Sequence, residues 1–111
     1  MGIRVLDARR GELELARTDY TVNSFGSLQG GSVASLAELA GEVAARAAGH
    51  ESAVSTDVAV RYLAQGPRGP YRTSAEVLRL RPSLVRVEVR DVGVGELMAV
   101  ATVGVGDAAA C

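Results

Sequence analysis

One segment of this chain reads as a helix, and it is apolar almost all the way round. Over residues 32–48 (SVASLAELAGEVAARAA), Val33, Leu36, Leu39, Ala40, Val43, Ala44 and Ala47 cover most of the circumference. Ser35, Glu38, Glu42 and Arg46 break that cover at spacings of three, four and four, which gathers them into one narrow polar stripe. Ser32 is a good N-cap and Gly49 a good C-terminal stop. A helix apolar over so much of its surface has to be enclosed rather than laid on the outside of a sheet. The rest of the chain must supply the enclosure.

The flanking segments read as strands. Residues 3–7 (IRVLD) and 12–17 (ELELAR) both alternate around Arg9, Arg10 and Gly11, the pattern of a hairpin with a polar turn. After the helix, strand patterns cover 53–63, 70–80, 84–91 and 96–105, and no second helix is expected. Strict alternation in the run VRVEVR predicts a sheet with one wet face. The stretch AQGPRGP at 64–70 reads as a turn or crossover, and Gly93 and Gly95 mark a hairpin turn. A disordered tail is expected over 106–111. Two strands, one enclosed helix and four strands make an α+β organisation. At 111 residues this is one domain, placed at 1–105.

Composition removes several classes of function. All twelve basic residues are arginine and the net charge is -1, so there is no basic face for nucleic acid. The one cysteine, Cys111, excludes an internal disulfide framework and a cysteine zinc site, and suits a reducing, cytoplasmic setting. No leader is visible and no apolar run approaches the ~18 residues of a membrane span. With only Phe25, Tyr20, Tyr62 and Tyr71 as aromatics, the core must be Val, Leu and Ala. Size sets the last bound. A ligand pocket takes ~300–1,000 Å³, so a chain this short needs a second wall from elsewhere.

Chemistry concentrates between Asn23 and Glu42. The loop 19–31 is rich in Asn, Ser and Gly. Gly30 and Gly31 stand at the start of the helix, where free backbone N–H groups and the helix dipole favour negative charge. A glycine amide there suits a developing oxyanion, although Gly-Gly before a helix is also ordinary loop chemistry. Glu38 lies in the second turn among apolar neighbours, where burial would raise its pKa and fit it for work as base or nucleophile. Alternatively Glu38, Glu42 and Arg46 form a solvated stripe with Glu42 and Arg46 paired at i,i+4, against Glu38–Glu42 repulsion. Asn23 suits orienting a carbonyl or a water, or closing a turn. His50, which follows the helix stop, is expected to be exposed and uninvolved. The arginines of the later strands, Arg61, Arg68, Arg72, Arg79 and Arg81, read as solvated faces, with phosphate contacts open to one or two of them.

The segment NSFGSLQGGSVASLAELA, with VAVRYL and SLVRVEVRD after it, resembles the hotdog-fold acyl-CoA thioesterases of the phenylacetate-pathway and 4-hydroxybenzoyl-CoA types. In that family a loop Asn or Gln lies six residues before a His-Gly-Gly element, and a helix Asp or Glu follows nine residues after the His. Here Asn23, Gln29-Gly30-Gly31 and Glu38 keep both spacings, with Gln29 where the family usually has His. Gln can hydrogen-bond but cannot titrate, so it keeps a positioning role and loses a proton-transfer one. The resemblance covers about residues 2–105 and implies an antiparallel sheet wrapped around one central helix. It further implies thioester hydrolysis with Glu38 as base or nucleophile, the Gly30 amide as oxyanion donor, and Asn23 orienting water or thioester. Gln29, Gly31 and Glu42 would bind substrate, and Arg81 with Ser83 would meet the nucleotide. No cofactor or metal is implied. The expected partners are acyl-CoA and a second copy of the chain, in a homodimer with shared sites that assembles further into a tetramer. A tandem hotdog half is also compatible. The competing reading from another class is a non-catalytic, acyl-CoA-binding or regulatory hotdog domain, motivated by Gln29. A hydratase would need a His-Asp pair in the site and ranks below both, while a purely structural domain leaves the two spacings unexplained.

Overall fold

A computed structural model of the chain describes residues 2–18, 30–80 and 82–107. The elements are β1 (Ile3–Asp7), β2 (Glu12–Leu15), α1 (Gly30–Ala47), β3 (Ala53–Tyr62), β4 (Tyr71–Arg79), β5 (Ser83–Asp91) and β6 (Glu96–Asp107). The strands form one antiparallel sheet in the order β1-β2-β4-β5-β6-β3. The turns over 8–11 and 92–95 close the hairpins that the glycines and arginines predicted, and the segment 63–70 carries the chain across from β3 to β4.

The helix lies against β2 through β6, as its apolar circumference requires. Its buried face of Val33, Leu36, Ala37, Ala40, Gly41, Ala44 and Ala45 meets Leu13, Leu15, Val85, Val87, Val89, Met98, Ala101 and Val103 from the sheet. In β5, Val85, Val87 and Val89 point inward while Leu84, Arg86 and Arg90 are exposed, which is the wet face the alternation called for. Close approach depends on a missing side chain. A Cβ on Gly41 would sit 2.8 Å from the Val103 Cβ. Bulges at Ser55/Asp57, Val77/Arg79 and Val89/Arg90 add bend and twist, which helps the sheet curl round the helix.

Two boundaries differ from expectation. The helix starts at Gly30, not after a Ser32 cap, so Gly30 and Gly31 are its first turn. Glycine's helix penalty is opposed there by a tertiary bond, because the Tyr62 hydroxyl donates to the Gly30 carbonyl at 2.9 Å. At the other end, β6 runs on to Asp107, with Val54↔Gly106 and Ala53↔Asp107 paired, so Gly106 and Asp107 belong to the sheet. Glycines at 104 and 106 hid this, since Gly is disfavoured in strands. The remainder of the expected tail, 108–111, lies outside the described residues. The stop at Gly49 is as expected. Its φ of +116° lets Gly49 N–H reach the Arg46 carbonyl (3.1 Å) and His50 N–H reach the Ala45 carbonyl (2.9 Å), which caps the helix.

Candidate active site

The polar stripe of α1 is turned toward β3, the strand at one end of the sheet. Glu38 and Glu42 are half-buried and converge on a single residue. The Ser55 hydroxyl donates to Glu38 Oε2 at 2.8 Å, and the Ser55 backbone N–H donates to Glu42 Oε1 at 2.7 Å. One turn further on, Arg46 Nε donates to the Ala53 carbonyl at 2.9 Å. The expected Glu42–Arg46 pair is replaced by these bonds to β3. The register of β3 against β6 shifts directly after Ser55, between Ser55 and Asp57, at the strand whose Ser55 N–H reaches the helix carboxylate. Two carboxylates four residues apart, which would repel on an open surface, are accommodated because each has its own donor.

His50 continues the same row and corrects the expectation of exposure. It is 3% exposed, with Nδ1 2.7 Å from Ser83 Oγ and Nε2 2.6 Å from Asp107 Oδ1. Ser52 Oγ donates to the same Asp107 oxygen at 2.8 Å. The helix cap, the start of β5 and the end of β6 thus meet on one imidazole. Ser83, expected to touch nucleotide, is itself buried, and its hydroxyl faces His50.

At the opposite end of the helix, Gly30 and Gly31 are exposed. The N–H groups of a helix's first turn have no acceptor within the helix, so these two can donate outward. Among the described residues nothing lies within 4 Å of a Cβ built on Gly31, while Gly30 has the Tyr62 ring against it. Gly30 and Glu38 are eight residues apart, or about 12 Å along the helix axis. Within one chain the amide donors and the carboxylate therefore do not meet at one reacting atom. Asn23, Gln29 and Arg81 lie outside the described residues. Among the described residues, no group of three His, Cys, Asp or Glu could hold a metal ion.

Ser55 and Tyr62 are the site residues that the sequence reading missed. Ser55 bears no spacing signature, and only the packing of α1 beside β3 brings it to Glu38. Tyr62 read as one of few aromatics, with nothing to say where its hydroxyl goes.

The sequence profile of the thioesterase superfamily matches residues 25–93, a span that holds the helix, its stripe, Ser55 and Tyr62. The chain belongs to the thioesterase superfamily. Solved structures carry the same hotdog fold. A conserved protein of Pseudomonas aeruginosa superposes with a TM-score of 0.84 at 22% identity, over 96% of this chain and 88% of the other. The PaaI protein of the E. coli phenylacetic acid degradation operon gives 0.83 at 21% identity, over 96% and 79%. A Streptococcus mutans protein solved bound to acetyl-CoA gives 0.82 at 18% identity, over 96% and 90%. No curated protein sequence matches the chain. The fold thus packs the alanine-rich face of one helix against the six-stranded antiparallel sheet, with the polar stripe beside β3. No helix among the described residues is long and apolar enough to cross a membrane.

Proposed function

We propose that this thioesterase-superfamily chain hydrolyses an acyl-CoA thioester, in sites shared between two copies. The observation that carries the reading is the fixed Glu38 carboxylate at the sheet's edge, set about 12 Å from free helix amides on its own chain. Such a distance calls for a second copy. Among the described residues, β3 is bonded on one side only, to β6. An antiparallel two-fold pairing of β3 with itself, centred between Val58 and Ala59, would set Ser55 opposite the partner's Tyr62. Glu38 of one protomer would then face Gly30 of the partner subunit, and the two-fold operation would build the site twice.

The thioester carbonyl oxygen would accept a hydrogen bond from the Gly30 N–H, with Gly31 as a second donor, so that charge developing on oxygen is met by aligned dipoles. Glu38 would take a proton from water as it attacks the carbonyl carbon, or attack directly to give an anhydride that water then opens. In either route the C–S bond breaks, the acid is released, and the CoA thiolate leaves and takes up a proton. Ser55 keeps the Glu38 carboxylate aimed. Asn23 would orient the water or thioester, and Gln29 would shape the loop by hydrogen bonding. Glu42 would hold β3 beside the site through the Ser55 N–H. Arg81, two residues before β5 in the sequence, would take a nucleotide phosphate, with the Ser83 hydroxyl anchoring the start of β5 through His50. A thioester is already activated, so no cofactor is required.

The reading is tested by a panel of acyl-CoA thioesters assayed for free thiol. Release by the wild-type chain and its loss in Glu38→Gln, with the dimer intact, is the expected result. Tight acyl-CoA binding with no thiol release across the panel would make the chain a binding domain instead.

A further inference from the structure

Tyr62 ends β3 and is 54% exposed, so burial does not hold its ring in place. A specific bond does. Its hydroxyl donates across 32 residues of sequence to the carbonyl of Gly30, at 2.9 Å. The ring lies flat enough on the helix start that a Cβ on Gly30 would find three Tyr62 atoms at 3.6–3.7 Å. The bonded carbonyl belongs to the same peptide unit as the N–H of Gly31, and that N–H has no acceptor within the helix. A carbonyl that accepts a further hydrogen bond polarises its peptide, and the N–H at the other end becomes a stronger donor. The same bond pins the first turn of a helix that begins Gly-Gly, the pair with most backbone freedom to lose.

We propose that Tyr62 is the positioning residue of the oxyanion donors, holding the Gly30–Gly31 peptide in line and raising the donor strength of the Gly31 N–H. This rests on the thioesterase reading, because it assigns Tyr62 a part in that same site. Tyr62 touches the donors and not the reacting atoms. Its effect belongs to the transition state, in which the carbonyl oxygen carries most charge, so it acts on kcat rather than on substrate affinity.

The test is Tyr62→Phe, which keeps the ring and removes the bond. Losing an oxyanion donor outright costs ~100- to 1,000-fold in kcat, and a bond acting through that donor is expected to cost roughly tenfold, with KM unchanged. The Gly31 amide proton resonance is expected to move upfield, and its hydrogen exchange to speed up. Melting temperature at fixed protomer concentration should stay within a few degrees of wild type. An unchanged kcat, an unmoved Gly31 resonance, or a loss of activity that tracks a loss of stability would overturn the assignment. Failure of the broader reading shows differently. A wild-type chain that releases no thiol from any acyl-CoA refutes hydrolysis, whatever the Gly31 resonance does in the variant.

Discussion

At the scale of single residues, the proposed hydrolysis assigns the chemistry to Glu38 and its aim to Ser55. Glu38→Gln keeps size and hydrogen bonding but removes the charge and the basic oxygen. It is expected to cut kcat at least ~100-fold, in a protein that still elutes as wild type on gel filtration. Ser55→Ala leaves the carboxylate present but loses its 2.8 Å donor, so kcat should fall by roughly tenfold while acyl-CoA still binds. His50 belongs to the scaffold. Its replacement by Leu would remove the imidazole's bonds to Ser83 and Asp107, at a cost of about 1–2 kcal/mol that a lower melting temperature would report. Glu38 was legible because its spacing from Gln29-Gly30-Gly31 is sequential. Ser55 and His50 were not, because their partners lie across the fold and only tertiary packing brings them together.

At the scale of elements, the packing of α1 on β6 turns on Gly41. Alanine is the better helix former by up to about 1 kcal/mol, which favours Gly41→Ala. Against that, the added methyl would press on the Val103 Cβ at 2.8 Å, and overpacking costs about 1–3 kcal/mol. Steric cost wins, and denaturant unfolding should show a net loss of stability. On the outer face, the Arg72 guanidinium hydrogen bond holds the Glu14 carboxyl below the usual carboxylate range, with Arg4 helping and partial burial opposing. A depressed folded pKa stabilises the fold above the unfolded value of 4.5, and the contribution fades as pH falls through the folded pKa. Arg72→Leu should therefore flatten the pH dependence of stability below about pH 4.5, with β1, β2 and β4 affected first. The strands themselves were legible from alternation and from glycine at the turns. The end of β6 and the start of α1 were not, because glycine signals a turn or loop in a sequence, whereas here pairing with β3 and the Tyr62 hydroxyl hold those glycines in regular structure.

At the scale of the whole molecule, the proposed function makes the short chain half of a site. Its sheet buries one face of the helix, and among the described residues β3 is bonded on one side only. Helix amides stand at one end of that edge and the Glu38–Ser55 pair at the other, so a two-fold partner would complete both sites at once. Size alone raises the expectation of a second wall, and the pattern of residues 32–48 placed Glu38 on the helix, where it stands. Which edge the partner takes needed the strand order, which no local pattern carries. The most direct measurement mixes two inactive variants, Glu38→Gln and Asn23→Ala, by co-refolding. In a shared site each mixed dimer regains one intact site from the two wild-type halves. Random reassortment then predicts recovery to about a quarter of wild-type thiol release. A mixture as inactive as its two components would contradict the shared site.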